Sequence, residues 1–582
     1  MGRTLKSREE ASDAESGRRG DTENKTVSPR LRVPASPRPR VSAPLASPFI
    51  PAFDVIVIGA GINGAGIARD AAMRGLKVLL LDKGDVASGT TAWSTRLIHG
   101  GLRYLEHGEV GLVRESLRER ERLLRIAPHL VRPLPMLIPV YENARRGLLK
   151  IRAGMVAYDL LSFDKSLKRH RMLSREETIR RASGLEPEGL RGAAIYYDAQ
   201  IEYAERLVFE NVLSAFQHGA AIRTYARVDG FIIEDGGVRG VEFTDLLDSS
   251  RHSVRARLTV NVSGPWVDEV LAGTQHALEC MICGTKGSHL VVDEFPGAPI
   301  DALYVEAHAD GRPFFIIPWN NAYLIGTTDL PYNGDLDRVV ADADEIDYLL
   351  TETNRVIPQA RLRREAIRYT YSGVRPLPCR TGRDPSGITR RHFIRDHEAA
   401  LNGFISIIGG KLTTYRNLSE QAVDLLFKKL GRESPECRTA REALPGASSL
   451  EDFAAFCEEL KASSDLPETL IGRLLRIYGT RAKAVLELAA HDPELLNPFS
   501  PQTGAIGAEV LYSFHEELAQ TLTDCLMRRT MVGMNAAAGL DAVEAAARVA
   551  QKYLGWDDDR VEREIANYRR YVQRFHPRAM SL

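Results

Sequence analysis

The sequence predicts an α/β fold in which a parallel-sheet domain is interleaved with a mixed-sheet domain, followed by an all-α C-terminal domain. Three observations carry this reading. A buried strand run, Asp54–Ile58, leads straight into a glycine turn, Gly59–Gly64. Strand-like runs then alternate with helical stretches to about residue 440, and one of them, Leu258–Trp266, ends in a second glycine turn. Beyond about residue 450, apolar residues recur at three and four spacing, with Gly and Pro between segments such as Ile506–Leu526 and Leu540–Tyr553. The expected organisation is an N-terminal extension at 1–50, two interleaved domains over 51–440, and a helical domain at 441–582.

The extension is rich in Arg, Ser, Pro and Glu and holds few large apolar residues before Phe49. Such a segment cannot bury enough apolar surface to offset its ordering entropy, so disorder is expected. It lacks the apolar run of a signal peptide and is too acidic for a transit peptide. Over the whole chain 77 basic residues balance 77 acidic ones, which argues against a general nucleic-acid binder. Six cysteines among 582 residues suggest a reducing compartment, and Cys280 and Cys283 are expected as buried thiols near a strand end. No metal site is expected. No apolar run approaches the roughly 20 residues that span a bilayer.

Gly59, Gly61 and Gly64 form a G-x-G-x-x-G with Asn63 inside it. Alone the string is weak. Here a buried strand precedes it, a helix-prone stretch (Ala65–Arg74) follows, and a second strand (Val78–Leu81) ends in Asp82. Glycines permit the tight turn and the approach of backbone N–H groups to a pyrophosphate, beside the positive end of the helix dipole. Asp82 is placed to accept from ribose hydroxyls. This is a Rossmann-like dinucleotide site, and the fingerprint does not separate NAD from FAD. The next residues do. Ser88–Ser94, with Thr90, Thr91 and Ser94, and then His99-Gly100 and Gly101–Tyr104, suit a loop wrapped around a long buried cofactor, FAD.

With those residues in place, the sequence resembles the aerobic, membrane-associated, FAD-dependent glycerol-3-phosphate dehydrogenases. The resemblance rests on six blocks in family order: Asp54–Gly66, Leu97–Glu106, Lys286–His289, Leu324–Asp329, Tyr371–Leu377 and Gly409–Arg416. Arg96 stands where many relatives have Lys, and Ser263 where they often have Thr or Ala. The resemblance implies a D-amino-acid-oxidase/glutathione-reductase-like flavoprotein fold. It also implies oxidation of sn-glycerol-3-phosphate with electrons passed to quinone, at the inner face of the cell membrane from the cytoplasmic side. The tail lacks the cysteine cluster of anaerobic relatives, Asp557–Asp559 lacks the glycine and later Glu of an EF-hand, and the long insertion of oxidase relatives is absent. Val228, Gly264, Gly410, Leu412 and Thr413 join the expected cofactor contacts.

The implied substrate is a small dianionic phosphate ester bearing a secondary alcohol. Phosphate recognition favours the planar fork of arginine. The family pocket maps onto Arg103, beside Tyr104, and onto Arg375, with Arg390 a third candidate. Lys411 follows Gly409-Gly410 at the start of an expected helix, Leu412–Leu430, where a lysine opposes the helix dipole and function explains it better than solvation. As proton acceptor the family points to His289; His99 competes, though its His-Gly-Gly equally suits a cofactor-wrapping turn. Thr328 and Asp329 are expected to line or buttress the site, and Trp266 and Trp319 to pack in the core.

Arg145, Arg146, Lys150, Arg152, Lys165, Lys168, Arg169 and Arg171 surround an apolar stretch, Met155–Phe163. This suits an anionic membrane surface, or equally an ordinary solvated helix. The C-terminal helices are alternative candidates for docking or for a homodimer contact. Two other readings stay open. One keeps the fold for an amino-acid oxidase or 2-hydroxyacid dehydrogenase, whose carboxylate substrates also call for Arg and Tyr. The other is a non-catalytic flavin-binding interaction protein.

Overall fold

The computed structural model describes residues 53–142, 144–276, 279–379, 391–447, 450–490 and 492–580. The expected disorder of 1–50 and the candidate Arg390 lie outside the described residues.

Strand β1 (Phe53–Ile58) is buried from Asp54 onward, and helix α1 (Ile62–Met73) begins inside the Gly59–Gly64 turn, three residues ahead of the Ala65 start that the sequence suggests. Strand β2 (Val78–Leu81) returns parallel to β1 in the register Val55↔Val78 to Ile58↔Leu81. On the other side β1 pairs in parallel with β3 (Arg251–Asn261). Continuous apolar runs such as Val-Leu-Leu-Leu fit strands covered on both faces. One cover is α1, eleven of whose twelve residues are buried.

The second sheet is mixed and contains β4 (Thr285–Val292) and β5 (Ile367–Arg375), which pair antiparallel. The chain then re-enters the first sheet as β6 (Phe404–Ile408), parallel to β3, and leaves through helix α2 (Tyr415–Leu430). Gly66 of α1 sits against Tyr415 and Ser419, where a Cβ would approach Ser419 Oγ to 2.4 Å, so the two helices meet at glycine-limited distance. The interleaving is as the sequence predicts.

From residue 450 the described residues are mainly helical, and among them Pro498–Ser500 and Ala505–Ile506 form a short antiparallel pair. The long helix expected over Ile506–Leu526 stops at His515. Leu518 takes φ +57°, and the chain resumes as a short helix ending in a π-turn, Cys525–Arg529. That turn points two arginines back into the first domain. Among the described residues no helix is long and apolar enough to cross a membrane.

Candidate active site

A cavity of about 1070 Å³ runs between the two sheets. One end is the glycine turn. Gly59 has φ +112° and donates its N–H to Leu81 O at 2.7 Å; a Cβ there would lie 2.6 Å from Val262 O. Gly61 and Asn63 line the cavity. Gly64 does not: a Cβ on it would fall 1.8 Å from Gly59 O, so it sets the turn-to-helix packing instead of touching a ligand. Asp82 accepts from Ala60 N–H (2.6 Å) and Gly84 N–H (2.8 Å). Burial pushes its carboxyl up, with those two N–H groups opposing. It therefore braces the glycine turn as well as facing the cavity.

Thr90, Thr91, Ser94, His99, Val228, Gly264, Gly410, Leu412 and Thr413 also line it. Gly100 lies behind the wall, where a Cβ would strike Tyr158 Oη at 2.4 Å. Thr413 Oγ1 accepts from His99 N–H at 3.1 Å, joining the two wrapping segments. Burial lowers the His99 imidazole to about 4 against the pull of Asp198, which leaves it neutral. Leu412 and Thr413 occupy a turn ahead of α2, which starts at Tyr415, not at Leu412. The preceding Gly409 and Gly410, at φ +75° and +107°, hold the chain off helical geometry.

The other end is built on the β4–β5 ladder. Thr285 opposes Arg375, Gly287 opposes Gly373 and His289 opposes Tyr371. Side chains alternate along a strand, so Gly287, His289, Tyr371, Gly373 and Arg375 share one face. The glycines leave room on it: a Cβ on Gly287 would stand 2.1 Å from Arg375 Nη2. Arg375 donates to Asp329 Oδ1 (3.0 Å), Thr327 Oγ1 (3.0 Å) and Thr328 O (3.1 Å), so the Thr327–Asp329 segment fixes its fork. Thr328 Oγ1 in turn donates to buried Glu345 (2.6 Å), the buttressing role expected of it. His289 is buried, stacks on Tyr371 at 4.8 Å, and places Nε2 2.9 Å from Thr95 Oγ1. Burial first, then Arg375 and Arg96, hold its imidazole well below the usual histidine range. Across the cavity Lys411 Nζ lies 3.8 Å above the Tyr104 ring, and Arg103 lines the same wall.

Several lining residues escaped the sequence reading. Trp319 is core, but Trp266 lines the cavity with Lys83 Nζ 4.5 Å from its ring. Thr95, Arg312, Tyr304 and Phe315 contribute at the ladder end; Arg528, Asn567, Tyr571 and Arg574 reach the wall from the C-terminal helices. Their position depends on tertiary packing and carries no local motif. The basic residues expected around Met155–Phe163 are partly spoken for, since Arg146 pairs with Glu106 and Lys165 with Asp159.

The cavity fits FAD on its own observations. At about 1070 Å³ it stands at the large end of the range for ligand and cofactor sites, roughly 300–1,000 Å³. Its dinucleotide end is bare glycine backbone at a helix N-terminus. Asn63 Oδ1 and Trp266 Nε1 are buried polar atoms on its walls with no protein partner, as a polar cofactor would require.

Comparison with known proteins agrees with this reading. Residues 54–416 match the family described as FAD dependent oxidoreductase, and residues 437–561 match the C-terminal domain of alpha-glycerophosphate oxidase. A glycerol-3-phosphate dehydrogenase of Synechocystis is 48% identical over 535 residues, covering 90% of this chain and 96% of its own. An aerobic glycerol-3-phosphate dehydrogenase of Staphylococcus epidermidis is 34% identical, covering 82% and 86%. The crystal structure of the Bacillus halodurans glycerol-3-phosphate dehydrogenase complexed with FAD superposes with a TM-score of 0.75 at 28% identity, covering 90% of this chain and 95% of that one. The chain therefore belongs to the FAD-dependent glycerol-3-phosphate dehydrogenase family.

Proposed function

We propose that this chain oxidises sn-glycerol-3-phosphate to dihydroxyacetone phosphate and delivers the electrons to a membrane quinone. The observation that carries the reading is the shared face of β4 and β5, which sets a neutral histidine and an anchored arginine in one cavity with Lys411 and Arg103. FAD, when bound, supplies the acceptor for the hydride leaving C2. Arg375, Arg103 and Lys411 hold the phosphate; each charge-assisted contact contributes about 1.5–3 kcal/mol. His289 accepts the C2 hydroxyl proton at Nε2 through Thr95, whose hydroxyl gives its own proton to the ring as it takes the substrate's. Nδ1, buried and without a protein partner, carries the ring proton in that tautomer.

This arrangement sets the pH dependence. His289 must be neutral to accept a proton, and its pKa is lowered. It gains a charge only well below the ordinary range, and activity falls on that acid side. Expressed per phosphate dianion, kcat/KM is expected to stay flat over roughly pH 6–8, whereas an exposed histidine near 6.5 would give an acid limb there. A limb centred near 6.5 that disappears in His289→Asn would contradict the assignment.

The Leu148–Leu161 helix supports the membrane half of the proposal. Leu149, Val156 and Leu160 are 83, 45 and 69% exposed and follow helical spacing on one side, and Phe163, 76% exposed, stands in the turn just beyond the helix. Lys150, Arg152, Lys168 and Arg169 flank them in solvent. The start of this helix is tied to the segment after Arg103, because Lys150, and Arg146 just before the helix, both reach Glu106. A lipid-docked helix there would bring quinone to the flavin. Changing Leu149, Leu160 and Phe163 to Ser together is expected to lower partition onto phosphatidylglycerol liposomes by roughly ten- to a hundredfold while dye-linked turnover persists. Undiminished sedimentation with the liposomes would remove this surface from consideration.

The substrate assignment is tested by anaerobic titration of the purified flavoprotein. Glycerol-3-phosphate should bleach the oxidised flavin spectrum. D-amino acids and 2-hydroxyglutarate should not, and bleaching by either of them alone would favour the carboxylate-substrate reading.

A further inference from the structure

The sequence suggests that the C-x-x-C is a pair of buried thiols. The structure places it otherwise. Cys283 is exposed and disulfide-bonded to Cys379, 96 residues away. Cys280 is an exposed free thiol whose Sγ lies 3.7 Å from Cys379 Sγ. Three sulfurs thus meet at the surface, and Cys379 is within reach of both members of the C-x-x-C.

The cluster joins two walls of the cavity. On one side Asp268, two residues after Trp266, accepts from Met281 N–H (2.9 Å), Ile282 N–H (3.0 Å) and Cys280 Sγ (3.2 Å). On the other, Cys379 follows Arg375 by four residues. Cys283 N–H donates to Leu377 O (2.8 Å) and Cys379 N–H to Met281 O (2.9 Å), which extends the β4–β5 ladder past Arg375 to the disulfide.

We propose that Cys280, Cys283 and Cys379 form a thiol–disulfide exchange site, addressed by a protein dithiol reductant, that tightens or loosens the segment carrying Arg375. A thiolate of the reductant attacks the sulfur of the exposed Cys283; the Cys283–Cys379 bond breaks, and Cys379 leaves as thiolate and takes up a proton. The reductant's second thiol then attacks the mixed disulfide, its own disulfide forms, and Cys283 is released as a thiol. Two electrons and two protons pass from the reductant to the pair. Burial and the Asp268 carboxylate hold the Cys280 thiol above the usual range, so it does not initiate exchange. It serves as the alternative partner of Cys379 on reoxidation, giving a second tether three residues further from β4.

The test has two arms. In the first, full-length flavoprotein is alkylated before and after dithiothreitol and its peptides are mapped. Untreated protein should yield the Cys283–Cys379 pair with Cys280 labelled, and air-oxidised Cys283→Ser should yield Cys280–Cys379. Finding Cys379 free in both proteins overturns the proposal without reference to substrate. The second arm rests on the function proposed above. Reduction should raise KM for glycerol-3-phosphate by roughly three- to tenfold, less than loss of Arg375 itself. Reoxidation should reverse the change, and Cys379→Ser should show the raised KM with no response to dithiothreitol. An unchanged KM on reduction, in protein whose flavin the substrate still bleaches, refutes the coupling. Absence of bleaching would instead indict the substrate assignment and leave the thiol map standing.

Discussion

Arg375→Met is expected to lower kcat/KM for sn-glycerol-3-phosphate by on the order of 10²–10³, mainly through KM. One charge-assisted contact of about 1.5–3 kcal/mol accounts for roughly ten- to a hundredfold. The remainder comes from Asp329. Its carboxylate is now countered by Arg375 at 3.0 Å; with methionine that positive charge no longer stands between it and the phosphate dianion. The two contributions separate in a double-variant cycle. Arg375→Met with Asp329→Asn should recover part of the loss, since it removes the repulsion and leaves only the missing contact. Arg375→Lys should not restore full activity, because an ammonium cannot hold Thr327, Thr328 and Asp329 in one planar fork. Gly287→Ala should resemble the arginine variant, as its methyl would occupy the position of Nη2. Steady-state kinetics at saturating electron acceptor, with flavin content checked at each step, decide the matter. Unchanged KM in Arg375→Met would mean that the phosphate sits elsewhere.

The two ends of this cavity differ in how far the sequence reveals them. The cofactor end is local: strand, turn, helix and Asp82 lie within thirty residues, and each glycine answers to a backbone constraint readable from spacing. Even there the reading assigned Gly64 and Gly100 to the ligand, because a motif does not tell a glycine that faces the cofactor from one that makes room for its own chain. The substrate end is tertiary. His289 and Arg375 share a face only because Thr285 pairs with Arg375, a register that no local pattern encodes. Family resemblance supplied those residues; periodicity could not have. Trp266 was misassigned to the core for a related reason: the same large apolar side chain suits a cavity wall and an interior. The disulfide was missed because the C-x-x-C draws the eye to a neighbour, while the partner stands on another strand.

Arg529→Leu is expected to destabilise the protein by about 3 kcal/mol, the lower end of the scale for breaking a buried ion pair, because Arg528 still holds Asp85. Arg529 is fully buried; it donates to Asp85 Oδ1 (2.8 Å) and Oδ2 (2.9 Å) and to Glu517 O (2.6 Å). Glu517 pairs with Arg206 and Arg481, so one guanidinium ties the C-terminal helices to the cofactor domain. Burial drives the Asp85 carboxyl up, but Arg529 and Arg528 outweigh it and hold it below the ordinary range. A carboxyl depressed in the folded state adds stability above its unfolded pKa, roughly 3.9, and loses it as pH falls through the folded value. Wild-type protein should thus lose stability below about pH 4 partly through Asp85, and Arg529→Leu with Asp85→Asn should lack that portion. The double variant should also cost less than the two single changes added together, because each single change already removes the Arg529–Asp85 contact. Asp85 stands three residues after Asp82 and lines the cavity beside Arg528, so flavin release should accompany unfolding of the C-terminal helices in Arg529→Leu. Urea titration read by flavin fluorescence and by far-ultraviolet circular dichroism tests this directly. Coincident midpoints, lowered together, are what a shared buried pair requires, whereas flavin retained on a chain whose C-terminal helices have melted would show the two domains to be energetically separate.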